Sequence, residues 1–518
     1  MPTPAIVRGS EHVSTVLYEG NGEGQRVGNF IPFTDNGTIA KSCLFDDGSS
    51  PYLNKTTGTA TSEKKFTFSA WVKLASGSLG SSQYNLYQSG NIASSSDCFI
   101  LNFNNTKFQM TTTGSTDMNL ITDRSFDDTS KWYHIVVSAD TTQSTASDRI
   151  KFYIDGDQIT TFSTGSYPAQ DYTFDVSSQN ALIGAYNTGS LAGYFDGYLA
   201  EVNYADGQSY GPDTFGITDT STGRWIPKSL GSITYGNNGF RMQFANTAGQ
   251  TIGDDTSGNT NDFTVNNIAT TDITTDSPTS NFTNMNGDKT DGTISEGGLK
   301  TVVPGSGAYE QIVALESFGV ATGKWYWEVR VDSKGKSGLG WKSDSSNGGS
   351  QAKDSGGNLG TVYNVGASGG FADGEWTDDY TSATSNFSTF TTASNGDIVQ
   401  FALDLDNRKG YVGINNTYFN SANPSNGTGS IGLGKDTIHA VTSKFYPMCL
   451  RLDSSGTFSW NFGQNPSFNG NITAGTATAS SGPGLFKYTP PTDFLALCQD
   501  NLPTPDKDIS DFVWIKSR

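Results

Sequence analysis

Apolar and polar residues alternate along short stretches of this chain, and the clearest stretch spans residues 395–416. From residue 399 to residue 405 every second residue is a large apolar one, which is the period of a strand with one buried face. The apolar positions are Val399, Phe401, Leu403 and Leu405. Turn-forming residues follow at 407–410, and a run of β-formers begins at 411–414. The pattern predicts a β-hairpin whose turn contains Gly410, a residue free to take a positive φ.

The same alternation predicts strands in both halves of the chain. Residues 66–73 place Trp71 on the face opposite to Phe66, Phe68, Ala70 and Val72. Residues 150–154 and 325–331 alternate in the same way. Their inward positions are Ile150, Phe152 and Ile154, and Trp325, Trp327, Val329 and Val331. Because long apolar stripes at helical spacing are scarce, the predicted fold class is all-β: two antiparallel β-sandwich or jelly-roll domains joined by a short-stranded connector.

Pattern and composition divide the chain into five parts. These are an N-terminal arm (1–38), a first sandwich (39–215), a connector (216–285), a second sandwich (286–470) and a C-terminal tail (471–518). The arm holds one predicted strand and cannot bury a core alone, so it either docks on the first sandwich or attaches the protein to a larger assembly. The tail ends in an apolar strand that needs a neighbouring strand to cover it.

Charge and hydropathy exclude two classes of partner. The formal net charge is −19, whereas a surface that follows nucleic-acid phosphates is basic, so we expect no nucleic-acid partner. No run approaches the roughly 18 apolar residues of a membrane span, so we expect no membrane insertion. The first five residues lack the charged and apolar pattern of a leader, which predicts a soluble protein that is made in the host cytoplasm and is not secreted by a standard signal.

Four landmarks lie in order within residues 39–215. They are an aromatic-rich strand with Trp71, the triplet Trp132–His134, the hairpin Tyr153–Gly156, and the stretch Phe195–Val202. In this order they resemble the laminin-G-like, concanavalin-type jelly roll. The resemblance implies the fold but leaves the activity open, because this sandwich carries lectins, adhesion modules, glycoside hydrolases and spacers.

A second set of landmarks spans residues 286–470. Its members are Gly323–Val329, Gly338–Gly340, Gly396–Asp397 with the hairpin after it, Phe445–Pro447 and Asn461–Gly463. Their order is similar to that of SPRY domains. This resemblance implies a binding module without catalytic residues, whose partners contact variable loops.

The loop 371–380 supplies the candidate ligand-binding residues of the second sandwich. Trp376 and Tyr380 lie near Asp378 in the sequence, so two rings can stack on a sugar face while the carboxylate accepts hydrogen bonds from sugar hydroxyls. The alternative is that the aromatic pair caps the sandwich. The sequence leaves both interpretations open.

The sequence contains few candidate metal ligands or reactive side chains. Asp123, Asp127 and Asp128 offer carboxylates to calcium, but they lack the spacing of an EF-hand, and a solvated loop is the alternative. His134 lies in the middle of a predicted strand and is interpreted as a core or second-layer residue. No cofactor and no metal ligands are assigned, with calcium left open. The four cysteines are interpreted as small core side chains.

No catalytic constellation emerges from the sequence. The chain has only three histidines, which lie far apart in the sequence, and no phosphate-binding loop. The carboxylate-bearing strand of the hydrolase relatives of this jelly roll is not found either. We therefore expect no enzyme and assign no catalytic residues.

Three sequence segments outside these two sets of landmarks carry a resemblance that covers most of the chain. They are Val27–Ala40, Gly253–Phe263 and Asp511–Lys516. Together with the order of the two sandwiches they resemble structural proteins of marine tailed bacteriophages. This resemblance implies a non-enzymatic virion surface protein, a tail fibre or spike that binds host-surface glycans. It also implies a homo-oligomer, most simply a trimer, in contact with other virion structural proteins. The alternatives are a head decoration or capsid-fibre protein with a purely structural role, and a tailspike enzyme that cleaves glycans.

Overall fold

The computed structural model describes most of the chain between residues 37 and 502. The described ranges are 37–75, 83–90, 98–112, 118–187, 189–219, 223–245, 249–285, 292–303, 311–313, 319–343, 361–365, 376–377, 386–387, 391–433, 444–451 and 454–502. Strands up to residue 274 are β1 (Ser42–Phe45), β2 (Tyr52–Thr56), β3 (Lys65–Leu74), β4 (Gln83–Ser89), β5 (Phe99–Asn104), β6 (Lys107–Thr112), β7 (Asn119–Ser125), β8 (Tyr133–Asp140), β9 (Ile150–Ile154), β10 (Asp157–Ile159), β11 (Phe162–Ser166), β12 (Asn180–Ile183), β13 (Tyr186–Asn187), β14 (Leu191–Ala192), β15 (Gly197–Asp206), β16 (Gly216–Thr218), β17 (Trp225–Pro227), β18 (Phe240–Met242), β19 (Thr264–Asn266) and β20 (Ile273–Thr274).

Strands continue through the second half of the chain. They are β21 (Thr293–Ser295), β22 (Lys300–Val302), β23 (Gln311–Val313), β24 (Lys324–Ser333), β25 (Ser337–Ser343), β26 (Thr361–Asn364), β27 (Trp376–Thr377), β28 (Asn386–Phe387), β29 (Ile398–Asp404), β30 (Lys409–Ile414), β31 (Thr417–Tyr418), β32 (Phe445–Arg451), β33 (Thr457–Asn461), β34 (Ala477–Thr478), β35 (Leu485–Phe486) and β36 (Leu495–Ala496). Among the described residues, α-helix is confined to α1 (Ala146–Arg149). Short 3₁₀ turns lie at Asp47–Ser49, Pro212–Thr214, Thr270–Asp272, Glu296–Gly298, Phe419–Ser421, Pro424–Asn426 and Gln499–Asn501. The predicted all-β fold class is confirmed. Within the described ranges, no helix is long and apolar enough to cross a membrane.

The first sandwich packs two antiparallel sheets face to face. The β3 sheet has the order β10-β9-β8-β3-β15-β1-β20, with β18 also paired to β15, and the β5 sheet has the order β11-β7-β6-β5-β4-β12-β2-β19. Side chains buried between them include Phe66, Phe68, Ala70, Val72, Ile150, Phe152 and Ile154. Trp71 belongs to a separate cluster on the outer face of the β3 sheet. The predicted faces of β3 and β9 are confirmed, because successive side chains of a strand point to opposite faces.

Residues 216–285, the expected connector, add strands to both sheets of the first sandwich. β18 pairs with β15, β20 pairs with β1, and β19 pairs with β2. Phe240, Met242 and Phe263 are buried in the core of that sandwich. Much of the segment therefore folds as part of the first sandwich, whereas Phe282 near its end packs with Tyr326 of the second sandwich.

The second sandwich also packs two sheets. One has the order β21-β22-β33-β24-β29-β30-β31, and the other has the order β23-β32-β25-β26-β27-β28. Trp325, Trp327, Val329 and Val331 of β24 lie in the core cluster of this sandwich, as the alternation predicts. In the expected tail, β36 runs parallel to β24, and Phe486 and Phe494 pack with Tyr326 on the outer face of that sheet. Part of the tail thus covers the second sandwich.

The predicted hairpin of residues 395–416 forms as β29 and β30, but Gly410 has a different structural role from the one expected. Arg408, not Gly410, takes a positive φ in the turn, at 53°. Gly410 lies inside β30 opposite Leu403, where an added Cβ would lie 2.6 Å from Cζ2 of Trp341. Gly410 therefore does not use the positive φ that glycine allows in a turn. The position needs glycine because the carbonyl of Gly432 and the indole of Trp341 both pack directly against its backbone.

Residues 274–285, here called the junction segment, run between the two sandwiches. Oγ1 of Thr274 donates a hydrogen bond to the carbonyl of Gln464 in the second sandwich at 3.1 Å. Nδ2 of Asn281 donates to the carbonyl of Ser130 in the first sandwich at 2.9 Å. Most side chains of the segment are polar and nevertheless buried, which requires hydrogen bonds of this kind. The two sandwiches are therefore joined through a buried polar layer.

Candidate functional site

The predicted sugar-contact residues lie largely beyond the described residues. Asp378 and Tyr380 are outside the described ranges. The backbone of Trp376 belongs to β27, where it pairs with Tyr363 of β26 and Phe387 of β28. This residue therefore lies in a strand beside the edge strand of its sheet. A ligand at Trp376, Asp378 and Tyr380 stays a prediction.

His134 on β8 lies in a group of aromatic rings on the outer face of the β3 sheet. Its imidazole stacks with the indoles of Trp71 and Trp225, at centroid distances of 4.6 and 6.0 Å. Nδ1 accepts a hydrogen bond from Nε1 of Trp225 at 2.9 Å. Nε2 lies 2.9 Å from Oγ of Ser69. The residue is buried, so both ring nitrogens find their partners inside the protein.

These contacts define the tautomer of His134 and exclude it as a general base. The indole nitrogen of Trp225 can only donate, so Nδ1 carries no proton and Nε2–H donates to Ser69. A nitrogen that holds a proton cannot accept the proton of a serine hydroxyl, so this pair is not a nucleophile and its base. Burial lowers the pKa of His134 to about 3, because the imidazolium would be desolvated. The interpretation of His134 as a core or second-layer residue is confirmed, because it is buried in a layer of aromatic rings outside the β3 sheet.

The aspartates considered for calcium are engaged separately. Asp123 lies 3.7 Å from Nζ of Lys107, and Asp127 is exposed. Oδ1 of Asp128 accepts hydrogen bonds from the N–H and Oγ of Ser130 at 3.0 and 2.6 Å. Among the described residues these three carboxylates do not form a group of converging ligand atoms. All four cysteines of the chain are buried, as their interpretation as core side chains predicts.

Three other carboxylates converge at one end of the β3 sheet. β1 pairs with β15 so that Phe45 lies opposite Gly197, and the next residues outward, Asp46 and Asp196, are therefore neighbours. Asp47 begins the turn after β1. One ligand oxygen from each of the three aspartates lies within 4.8 Å of the other two. We call this group the acidic corner. Its sequence signals are an Asp-Asp pair after an apolar run and the aspartate of a Phe-Asp-Gly landmark, but only strand pairing brings them together.

The acidic corner concentrates negative charge in a partly desolvated place. Asp196 is 6% exposed, and burial, followed by Asp47, Asp46 and Glu296, raises its pKa well above the ordinary value. Glu296 belongs to the second sandwich, where burial and then Asp46 raise its pKa to about 7. The backbone N–H of Glu296 donates to Oδ1 of Asp46 at 2.9 Å. Four acidic residues thus meet where the two sandwiches touch, and carboxylate oxygens in this arrangement are suited to hold a cation.

A buried ion pair links the first sandwich to the junction segment. Nζ of Lys73 on β3 lies 2.7 Å from Oδ2 of Asp276. Nζ also donates to Oδ1 of Asn281 at 2.8 Å and to the carbonyl of Phe282 at 2.9 Å. Oδ1 of Asp276 accepts from Nε1 of Trp132 at 3.1 Å. All three ammonium protons therefore have partners, and the pair fastens the two parts of the structure rather than offering a reactive group.

A cavity of about 540 Å³ opens at the edge of the first sandwich, near β19 and β20. Aliphatic side chains form much of its lining, among them Ile252, Val265 and Ile273, and Lys41 adds one charge. No aromatic ring stands among the described residues that line it. Because the predicted mode of glycan contact is stacking on an aromatic ring, we assign no sugar to this cavity.

Residues 47–207 match the family model of the concanavalin A-like lectin/glucanases superfamily. The matched stretch runs from the turn after β1 to the residue after β15, so it contains most strands of the first sandwich. This match confirms the domain type that the landmarks of residues 39–215 resemble. No curated protein matches the chain.

Parts of the chain are also similar to solved structures. The SPRY domain of human HERC1 is 17% identical, and the alignment covers 34% of this chain and 96% of that domain with a TM-score of 0.24. Domains LG4-5 of the mouse laminin alpha1 chain are 11% identical, with 82% and 88% covered and a TM-score of 0.27. The Ruminococcus gnavus IT-sialidase CBM40 bound to alpha2,3 sialyllactose is 14% identical, with 31% and 92% covered and a TM-score of 0.22. All three TM-scores are below 0.3.

Proposed function

We propose that this protein binds glycans and has no catalytic activity. The observation that carries the proposal is the match of residues 47–207 to a superfamily of concanavalin A-like lectins and glucanases. The superfamily name covers both binding proteins and enzymes. The choice between them therefore rests on the side chains of this chain.

The described side chains favour binding over hydrolysis. Glycoside hydrolysis needs two carboxyl groups on opposite sides of the scissile bond. Asp46, Asp47 and Asp196 instead converge on one point, and Asp196 is buried. They therefore do not face each other across an open cleft. His134 does not replace them as a base, because Nδ1 is occupied by an indole N–H.

The finer proposal is a structural protein of a tailed-phage virion, acting as a tail fibre or spike on host-surface glycans. Its support is the resemblance of residues 27–40, 253–263 and 511–516 to proteins of marine tailed phages. In this role several copies, as a trimer in contact with other virion proteins, present their sandwiches to the host. Sites that are weak singly then give useful adhesion through multivalency.

The proposed contact residues are Trp376, Asp378 and Tyr380. Their support is the sequence pattern of two aromatic rings beside a carboxylate, which suits the apolar face and the hydroxyls of a sugar. The position of Trp376 in β27, next to the edge strand β28, is compatible with a contact surface along that edge.

A glycan array with the full-length protein, followed by adsorption to host cells, tests the proposal. Replacing Trp376 and Tyr380 together by Ala is expected to weaken glycan and cell binding by about tenfold or more. Tyr153→Ala, which removes a half-buried ring from β9 of the first sandwich, is the matched control and should bind like the wild type. Wild-type protein that binds no glycan contradicts the proposal.

Two further outcomes separate the alternatives. Release of soluble oligosaccharides from host envelopes would identify a glycan-cleaving enzyme. The other outcome is a double variant that enters particles and adsorbs to host cells as well as the wild type does. That result would mean that glycans contact another part of the protein, or that the protein has a purely structural role. Cryo-electron microscopy of intact particles would locate the protein on the head or the tail.

A further inference from the structure

The carboxylates of the acidic corner have the spacing of cation ligands. Asp46, Asp47 and Asp196 each offer an oxygen within 4.8 Å of the other two. Calcium binds oxygen at about 2.3–2.6 Å, so ligand oxygens on opposite sides of one ion are about 4.6–5.2 Å apart and adjacent ones are closer. The observed spacing therefore accommodates one ion among the three side chains.

A second observation separates this group from ordinary surface acidity. Oδ1 of Asp196 is buried and has no hydrogen-bond partner in the described part of the chain. A buried carboxylate is normally paired, hydrogen-bonded or bound to a metal, because leaving it alone in a low-dielectric environment is costly. The charged groups that act most strongly on Asp196 are Asp47, Asp46 and Glu296, all of them acidic. The charged form of this carboxylate therefore lacks the positive partner that would stabilise it among these neighbours.

We propose that Asp46, Asp47 and Asp196 bind a divalent cation of the calcium class where the two sandwiches meet. A donor set made only of carboxylate oxygens suits a hard cation, whereas structural zinc sites are built mostly from cysteine and histidine. One divalent ion offsets most of the repulsion among three carboxylates. Asp47 is exposed, so water completes the coordination on that side.

The same ion couples the two sandwiches. The N–H of Glu296 donates to Oδ1 of Asp46 at 2.9 Å. The carbonyl of the next residue, Gly297, accepts a hydrogen bond from the hydroxyl of Tyr198 on β15, also at 2.9 Å. A cation that holds Asp46 in place therefore also holds the chain that leads into β22. Because the corner exists only in the folded protein, the ion stabilises that state by mass action.

Thermal unfolding of the full-length protein, first freed of metal by a chelator, tests the site. Added Ca²⁺ is expected to raise the Tm in a saturable way, and renewed chelation should reverse the shift. Asp196→Asn and Asp46→Asn should lose most of this response. Asp123→Asn removes the same charge from an exposed position and is the matched control, so its response to Ca²⁺ should equal that of the wild type.

Asp196→Asn separates metal binding from a general structural role. The amide keeps the shape of the side chain and removes a repelled buried charge, so the metal-free variant should fold and melt no lower than the metal-free wild type. Terbium luminescence gives an independent readout. Tb³⁺ should bind the wild type, be displaced by Ca²⁺, and give little signal with Asp196→Asn. A wild-type Tm that does not respond to about 10 mM Ca²⁺, or a full response in Asp196→Asn, would overturn the proposal.

Discussion

The ammonium nitrogen of Lys73 lies 2.7 Å from Oδ2 of Asp276, and neither side chain is exposed to solvent. Lys73 belongs to β3, at the middle of its sheet, and Asp276 belongs to the junction segment. Removing two such ions from water costs on the order of several kcal/mol for each, which their attraction and their other hydrogen bonds must offset. The pair therefore fixes the position of the junction segment on the β3 sheet.

Breaking this pair from one side should destabilise the protein strongly. Lys73→Met leaves the carboxylate of Asp276 buried without its cation, and the expected loss is about 3–5 kcal/mol in the free energy of unfolding. Urea denaturation followed by fluorescence measures the loss. The control is Lys64→Met, which breaks the exposed pair with Asp171 at 3.0 Å and should cost less than about 1 kcal/mol. Similar losses in the two variants would mean that the buried pair contributes no more than a surface contact.

Trp327 tests the assignment of the inner face of β24. Its indole is buried and stacks on Phe401 with ring centroids 5.2 Å apart, so Trp327→Ala should cost about 3–5 kcal/mol through the cavity that it leaves. Within the described part of the chain its Nε1 has no hydrogen-bond partner. Trp327→Phe, which fills part of the space and removes that N–H, should therefore cost clearly less. A loss below about 1 kcal/mol for Trp327→Ala would contradict this packing.

Gly410 should tolerate no side chain. Its added Cβ would lie 2.6 Å from Cζ2 of Trp341, so Gly410→Ala forces a buried indole to move, at a cost of about 1–3 kcal/mol or more. Gly211→Ala is the control, because nothing lies within 4 Å of its added Cβ and its φ is −82°. Chemical denaturation of both variants makes the comparison. Equal stability of the two would show that the ring can shift at little cost.

Stability should depend on pH through His134 between about pH 3 and 6.5. Histidine in an unfolded chain has a pKa near 6.5, whereas burial holds the pKa of folded His134 at about 3. In that window only the unfolded state binds the proton, so the contribution of His134 is complete above pH 6.5 and falls by up to about 1.4 kcal/mol per pH unit on acidification.

The comparison with His134→Gln isolates this effect. Glu296 and Asp500 have pKa values raised to about 7 and about 6, mainly by burial, so they bind protons in the folded state and act in the opposite direction. They are present in both proteins and cancel in the difference. Free energies of unfolding measured from pH 4 to 7 should rise more steeply with pH for the wild type. The difference between the two slopes should correspond to the uptake of about one proton on unfolding. Identical slopes would mean that His134 protonates without unfolding.

The strands were predictable because their signal is local. A period of two places Phe66 and Phe68 on one face and Trp71 on the other, and the core of the first sandwich follows this pattern. The purpose of Gly410 was not predictable in the same way. Gly410 is constrained by Trp341, which belongs to another strand. A contact between residues so far apart along the chain does not appear in the alternation of apolar and polar residues.

The acidic corner and the junction segment were missed for the same physical reason. Asp46 and Asp196 become neighbours only because β1 pairs with β15, and no local sequence pattern predicts that pairing. The junction segment is polar at most positions, which in a sequence indicates an exposed link. Its burial depends on partners such as Lys73 and Gln464, which lie far away along the chain.

The buried polar junction also limits how such a chain can exchange parts during evolution. A recombination breakpoint near residue 215 would remove Phe240, Met242 and Phe263 from the core of the first sandwich. A breakpoint just after residue 285 would leave Thr274 without Gln464, and Asp46 would lose the N–H of Glu296. A new second sandwich could be acquired without loss only if it arrived with a matching surface for residues 274–285, so the two halves are expected to be inherited together.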